Sequence, residues 1–191
     1  MKKITIALIM VISLIAPIQT MAESVTQNGT IIEPLEQNIE QIIDEITSEP
    51  RPINSDAIQN VKEYISKYFG NLGYDNIEYQ KFEYNDENNE NAIRHSSQAD
   101  VFLASTAESA IVDGIGENII VTKNSSIDTT KNLIISAHYD SAEDSVGAND
   151  NGSGVAAVLE LARILKDTEI PYNIKFILFS GEEKYMLGSR W

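Results

Sequence analysis

Near the end of the sequence, imidazole and carboxylate side chains have the types and spacing used in metal-dependent chemistry. His138 and Asp140 lie two residues apart. Residues at that spacing in extended backbone project from one face, so both side chains can reach the same small volume. A metal-ligating His usually donates its second ring N–H to a carboxylate, which is a role that Asp140 suits. His-x-Asp is common, however, and the pair alone does not establish a site.

Asp150 lies in a loop of small residues, Gly147-Ala-Asn-Asp-Asn-Gly-Ser-Gly154, that leads into an apolar helix. The glycines allow the backbone to approach a ligand closely. The carboxylate of Asp150 can bridge two cations, or Asp150 or Asn151 can simply cap the following helix, as Asx residues commonly do. The loop by itself favours capping.

Glu182 and Glu183 follow Gly181 directly after an apolar run. Two adjacent carboxylates at the end of a buried strand repel each other unless a cation lies beside them. Neighbouring residues point in different directions, so one Glu can bind a metal ion while the other accepts a proton from water. The alternative is a pair of solvated glutamates in the acidic first turn of a helix.

The elements around these residues predict a parallel pair of strands. Apolar, β-branched runs at 132–137 and 173–180 flank a predicted helix at about 154–166, and strand, helix, strand is the order of a right-handed βαβ crossover. Both runs read as central strands covered by helices, because they are apolar on both faces apart from Lys175. Function in open α/β sheets collects at the carboxyl ends of the strands, which is where the candidate residues fall. Their conjunction at one sheet edge favours a metal site over independent accidents.

The preceding sequence predicts helices at 34–49 and from the N-cap Ser55 to Gly70–Gly73, and strands at 77–84, 101–103 and 118–122. The first helix carries an apolar stripe and either packs on the domain, which we favour, or belongs to a removable propeptide. Residues 85–100 read as a solvated loop, and we expect its His95 to be a surface residue rather than a metal ligand.

Composition and the first residues bound the cellular context. The formal net charge of -15 makes nucleic acid and anionic lipid unlikely partners, and the absence of Cys excludes disulfides and a thiol nucleophile. Lys2 and Lys3 precede an apolar run from Ile4 to Ile18, and small residues place signal-peptidase cleavage after Ala22. A membrane anchor is the alternative, but the run is shorter than the ~20 apolar residues of a span. We expect a secreted protein without membrane contact after cleavage.

The motifs Ser136-Ala-His-Tyr-Asp-Ser141, Gly147 to Gly154 and Phe179-Ser-Gly-Glu-Glu183 resemble the co-catalytic zinc aminopeptidase family, which includes secreted bacterial leucine aminopeptidases and aminopeptidase Y. The resemblance implies an α/β, three-layer zinc-exopeptidase-like fold with a mixed central sheet covered by helices. We therefore divide the chain into the signal peptide indicated by its first residues (1–22), a helical extension or propeptide (23–51) and the N-terminal part of the exopeptidase domain that the resemblance implies (52–191).

The resemblance also implies roles for the candidate residues in hydrolysis of peptide substrates with two zinc ions. His138 would bind one zinc, Asp150 would bridge both, Glu183 would bind the other, Asp140 would orient His138 and Glu182 would be the general base. A cis peptide between Asp150 and Asn151 is implied as well.

In the family, a further Asp and a further His ligate zinc beyond the position of Trp191, so we expect a truncated chain with an incomplete metal site. The alternatives are an inactive remnant, a single-zinc glutaminyl cyclase or a carboxypeptidase of the same fold. Oligomeric state and side-chain preference are not predicted.

Overall fold

The computed structural model describes residues 34–84 and 114–191. The predicted signal peptide, the loop that contains His95 and the strand at 101–103 lie outside these residues. None of the described helices combines the length and apolar character needed to cross a lipid bilayer.

Helices α1 (Glu36–Ile46), α2 (Asp56–Asn71) and α3 (Ser153–Leu165) correspond to the three predicted helices. Ser55 caps α2 as predicted, because its side-chain oxygen accepts a hydrogen bond from the backbone N–H of Ile58. Helix α1 ends earlier than predicted, and Leu35 at its start is exposed rather than part of the buried stripe.

Strands β1 (Ile77–Tyr84), β2 (Gly114–Lys123), β3 (Asn132–His138) and β4 (Asn173–Phe179) form a mixed sheet in the order β1-β2-β4-β3. Strands β1 and β2 pair antiparallel, β2 and β4 pair antiparallel, and β3 pairs parallel to β4. This arrangement confirms the predicted α/β class with a mixed sheet and helices. The parallel pair is the one that the strand–helix–strand order predicted.

One hydrophobic core joins the helices to the sheet. Alternate residues of β4, namely Ile174, Phe176 and Leu178, are fully buried, as expected for one face of a pleated strand. Their partners in the same cluster come from α1, α2 and α3, and include Ile42, Ile46, Ile58, Ile65, Phe69, Val155 and Leu159. Phe176 lies 5.8 Å from both Phe69 and Tyr74, measured between ring centroids.

The prediction that β3 is a central strand covered on both faces is wrong for the described sheet. Strand β4 lies between β2 and β3, so β3 forms an edge of the described sheet. Leu133 is 45% exposed and Ile134 is 59% exposed. Apolar content alone did not reveal strand order, because a run of apolar residues does not specify which neighbours pair with it.

Helix α1 is attached to α3 by a buried carboxylate. The side chain of Glu160 accepts hydrogen bonds from the backbone N–H of Leu35 at 2.8 Å and from Asn38 at 3.3 Å. Arg163 donates two further hydrogen bonds to the same carboxylate. Negative charge at a helix N-terminus is stabilising, so Glu160 fixes the start of α1 on the domain.

Candidate metal site

The parallel register of β3 and β4 brings the candidate residues to one edge of the sheet. His138 is paired with Phe179, so the residues that follow each strand emerge side by side. The carboxylate of Asp140 accepts hydrogen bonds from the backbone N–H groups of Glu182 and Glu183, both at 3.1 Å. Gly181 turns the chain between strand and glutamates with a φ of 73°. Asp140 therefore ties the end of β3 to the segment that carries the two glutamates.

The ring of His138 lies between Asp140 on one side and Asp150 and Glu182 on the other. Its Nδ1 lies 3.2 Å from the backbone carbonyl oxygen of Asp140 and 3.5 Å from Oδ1 of the same residue. Its Nε2 lies 3.0 Å from Oδ1 of Asp150 and 3.8 Å from Oε2 of Glu182. A carbonyl oxygen can only accept, so Nδ1 carries a hydrogen and Nε2 is the nitrogen that faces the candidate metal position.

Asp150 is presented by a single π-type turn, Ala148–Gly152, in which Asp150 and Asn151 have non-helical backbone angles. Gly147 precedes this turn in the left-handed region with a φ of 57°, and its carbonyl accepts a hydrogen bond from the N–H of Gly152 at 2.8 Å. The peptide bond between Asp150 and Asn151 is cis, as the resemblance implies. The Asn151 side chain accepts from the N–H of Gly154, which leaves the carboxylate of Asp150 facing His138. Asn151, rather than Asp150, therefore takes the helix-capping role.

Negative charge dominates the electrostatics of this cluster. Burial lowers the pKa of His138, but Asp140, Asp150 and Glu182 outweigh that effect and raise it to about 9. Burial and the neighbouring charge of Asp150 raise the pKa of Glu183. Both shifts have the sign expected where several carboxylates share a small volume and a cation is favoured.

Within residues 34–84 and 114–191, no group of three or more His, Cys, Asp or Glu side chains is already arranged around a common metal position. The donor chemistry nevertheless fits zinc, which binds imidazole nitrogen and carboxylate oxygen. Both ring nitrogens of His138 face oxygen atoms, and Nε2 faces the carboxylate of Asp150. His138, Asp150 and Glu183 are the residues that would hold zinc, with Asp140 behind His138.

A buried arginine that the sequence analysis did not single out borders this cluster. Arg51 is 0% exposed, and its guanidinium donates to the backbone carbonyls of Tyr139, Val146 and Gly147. Its own backbone exchanges hydrogen bonds with Ser141. Arg51 precedes Pro52 in a segment without periodicity, so the sequence contains no local signal for this role.

The structure thus brings three of the other four predicted residues, Asp140, Asp150 and Glu182, into contact with His138, and places Glu183 within electrostatic reach of them. Their assigned roles in zinc binding and proton transfer stay predictions.

Residues 118–191, which include β3, β4 and all five candidate residues, match Peptidase family M28. The chain is 43% identical over 81 residues to Aminopeptidase YwaD from Bacillus subtilis. It is also 31% identical over 149 residues to a Vacuolar membrane protease from Schizosaccharomyces japonicus. These matches confirm the predicted resemblance to zinc aminopeptidases.

Solved structures show the same fold. BSAP, a zinc aminopeptidase from Bacillus subtilis, has a TM-score of 0.65 at 18% identity, covering 82% of this chain and 64% of that one. A glutaminyl cyclase from Fimbriiglobus ruber has a TM-score of 0.59 at 19% identity, covering 82% of this chain and 49% of that one. At such identities the likeness shows the fold alone. The chain spans 18% of the length of YwaD and 16% of that of the vacuolar protease.

Proposed function

We propose that this protein is a zinc-dependent exopeptidase, an aminopeptidase that hydrolyses N-terminal residues from peptides. The observation that carries the proposal is the meeting of His138, Asp150 and Glu182 at the carboxyl ends of two parallel strands. The match of residues 118–191 to Peptidase family M28 supports it. A pair of zinc ions is part of the proposal and rests on the resemblance.

The residues of this chain divide the work of hydrolysis between them. When bound, zinc supplies a Lewis acid that polarises a carbonyl and lowers the pKa of water. Asp140 holds the His138 ring in the orientation that presents Nε2, while Asp150 and Glu183 contribute carboxylate oxygens. Glu182 is half exposed and lies 3.8 Å from Nε2 of His138, so its carboxylate can accept a proton from water beside the site and deliver it to the leaving amine.

The Glu182→Gln variant tests this assignment. A positioned general base contributes about 10² to 10⁴-fold, so Glu182→Gln should lower kcat by that factor while zinc stoichiometry is unchanged. The measurement is the rate of hydrolysis of a leucine arylamide by the zinc-loaded, full-length protein. Glu143→Gln, which makes the same change at an exposed position before Asp150, is the matched control. A Glu182→Gln variant with near wild-type turnover would exclude Glu182 as the base.

Substrate comparison separates the aminopeptidase from the alternatives of the same fold. An aminopeptidase requires a free amino group, so acetylated leucine arylamide should not be hydrolysed. Release of pyroglutamate from a glutaminyl substrate would instead indicate a cyclase, and release of C-terminal residues from an N-acetylated peptide would indicate a carboxypeptidase. Absence of all three activities in the zinc-loaded protein would support an inactive remnant.

We also propose that the protein is exported, since Met1 to Ala22 has the charge, apolar run and cleavage residues of a signal peptide. The intact mass of the exported protein would show removal of these residues, and an uncleaved chain retained in the membrane would support the anchor.

A further inference from the structure

The guanidinium of Arg51 is a buried cation whose described hydrogen-bond acceptors are all backbone carbonyls. The guanidinium donates at 2.7 Å to the carbonyl of Tyr139 and at 3.1 Å to that of Gly147, with a further hydrogen bond to the carbonyl of Val146. Burial lowers the pKa of Arg51, and only the more distant charges of Asp140 and Glu183 act in the opposite direction. Burying a cation is unfavourable unless its hydrogen bonds are satisfied, so the buried guanidinium requires acceptors in a fixed arrangement.

The three carbonyls belong to the two segments that carry the candidate ligands. Tyr139 stands between His138 and Asp140, at the end of β3. Gly147 stands three residues before Asp150, at the start of the turn that presents it. Arg51 therefore spans the loop that separates the two ligands, and its backbone hydrogen bonds to Ser141 fix the same loop from within.

Movement of Gly147 would reach Asp150 directly. The Gly147 carbonyl accepts from Arg51 and also from the N–H of Gly152, so one oxygen joins the guanidinium to the far side of the turn. The space at Gly147 is closed, since a Cβ built there would lie 2.5 Å from the backbone oxygen of Asp150. The turn is therefore packed against the segment that Arg51 holds.

We propose that Arg51 is a positioning residue for zinc binding, which holds the backbone of residues 139 and 146–147 so that Asp150 faces Nε2 of His138. The inference takes from the proposed function only that the bound metal is zinc, and it does not require peptidase activity. A planar guanidinium has N–H donors in a fixed arrangement and can donate to three carbonyls at once, whereas the ammonium of lysine cannot reproduce this arrangement. Arg51→Lys keeps the positive charge and removes the planar arrangement of donors. This variant therefore separates the effect of the hydrogen bonds from the effect of the charge.

The experiment measures the zinc dissociation constant of the chain by competition with a chromophoric chelator, under conditions where each variant is folded. Loss of a residue that orients metal ligands typically costs 10 to 100-fold in affinity, and Arg51→Lys should fall in that range. Ile65→Ala is the matched control, because it removes buried side-chain volume in α2 and should lower stability without changing zinc affinity.

A metal-free readout accompanies the affinity. The N–H of Gly152, which donates to the carbonyl of Gly147, should exchange with solvent faster in Arg51→Lys than in the Ile65→Ala control. If Arg51→Lys does not fold, Gly147→Ala leaves the guanidinium in place and displaces the same segment. In that case, the Gly147→Ala variant should bind zinc more weakly than the wild type.

Wild-type zinc affinity in folded Arg51→Lys, or an equal loss in Ile65→Ala, would overturn the inference. Wild-type affinity in Gly147→Ala would overturn it too if Arg51→Lys proves unfolded. These outcomes are independent of the peptidase assay. Zinc binding that depends on Arg51 without peptidase activity would reject the proposed function alone, while activity with an indifferent Arg51→Lys variant would reject this inference alone.

Discussion

The Asp140→Asn substitution tests the hydrogen bonds that join the end of β3 to the segment with Glu182 and Glu183. Asp140 is 1% exposed, and its two carboxylate oxygens accept separately from the N–H groups of Glu182 and Glu183. Asparagine has one acceptor oxygen and one donor amide group, so one of these N–H groups would face another donor. The variant therefore breaks one hydrogen bond and weakens the other, whichever way the amide is oriented.

The magnitude follows from those two bonds. A hydrogen bond to a charged group contributes about 1.5 to 3 kcal/mol, and the surviving bond changes from a charged to a neutral acceptor with roughly half the strength. We expect a loss of about 2 to 4 kcal/mol in the free energy of unfolding. Zinc affinity should fall by about 10 to 100-fold, because His138 loses the carboxylate beside its Nδ1.

Urea unfolding of the metal-free chain and a zinc titration of the folded chain measure these effects. Asp144→Asn makes the same charge change at an exposed position on the following loop, and is the control for net charge. The reasoning is refuted if Asp140→Asn unfolds at the urea midpoint of Asp144→Asn, or if it keeps the zinc affinity of the wild type.

Two further predictions concern the scaffold. Burial raises the pKa of Glu160, but hydrogen bonds led by Arg163 outweigh it and hold the pKa below its ordinary value of 4.5. This stabilisation is present above pH 4.5 and is lost as pH falls through the lowered pKa, so Glu160→Gln should cost about 1.5 to 3 kcal/mol at pH 7. The difference in urea midpoint from wild type should shrink in acid, and a constant difference would contradict the assignment. Phe176→Ala, at a fully buried aromatic position, should lose about 3 to 5 kcal/mol, whereas the control Ile134→Ala should stay within about 0.5 kcal/mol in thermal unfolding.

Local signals in the sequence predicted the individual elements well. Strand β1 has the predicted bounds, and Ser55 caps α2 as its position before an apolar stripe indicated. The candidate residues lie at one edge of the sheet, as predicted, because a parallel strand pair brings its carboxyl ends together. In these cases the determining interactions are short-range or follow from one topological rule.

Long-range features could not be obtained in the same way. The insertion of β4 between β2 and β3, which leaves Leu133 and Ile134 exposed, depends on pairing between residues distant in sequence. Arg51 contacts carbonyls that lie 88 to 96 residues further along the chain. Backbone acceptors exist at every residue, so nothing in the sequence indicates which ones a buried arginine will reach.

The buried face of β4 also determines the distance between the candidate residues that follow β3 and those that follow β4. Ile174, Phe176 and Leu178 are each 0% exposed, and a slip of one residue in the register of β4 would turn all three away from the core. The same slip would shift the end of the strand by about 3.3 Å relative to β3. Metal–ligand distances tolerate only about 0.2 Å, so that slip would separate the glutamates from His138. Apolar side chains of the core thus fix the register of β4, and through it they set the distance between the polar groups of the site.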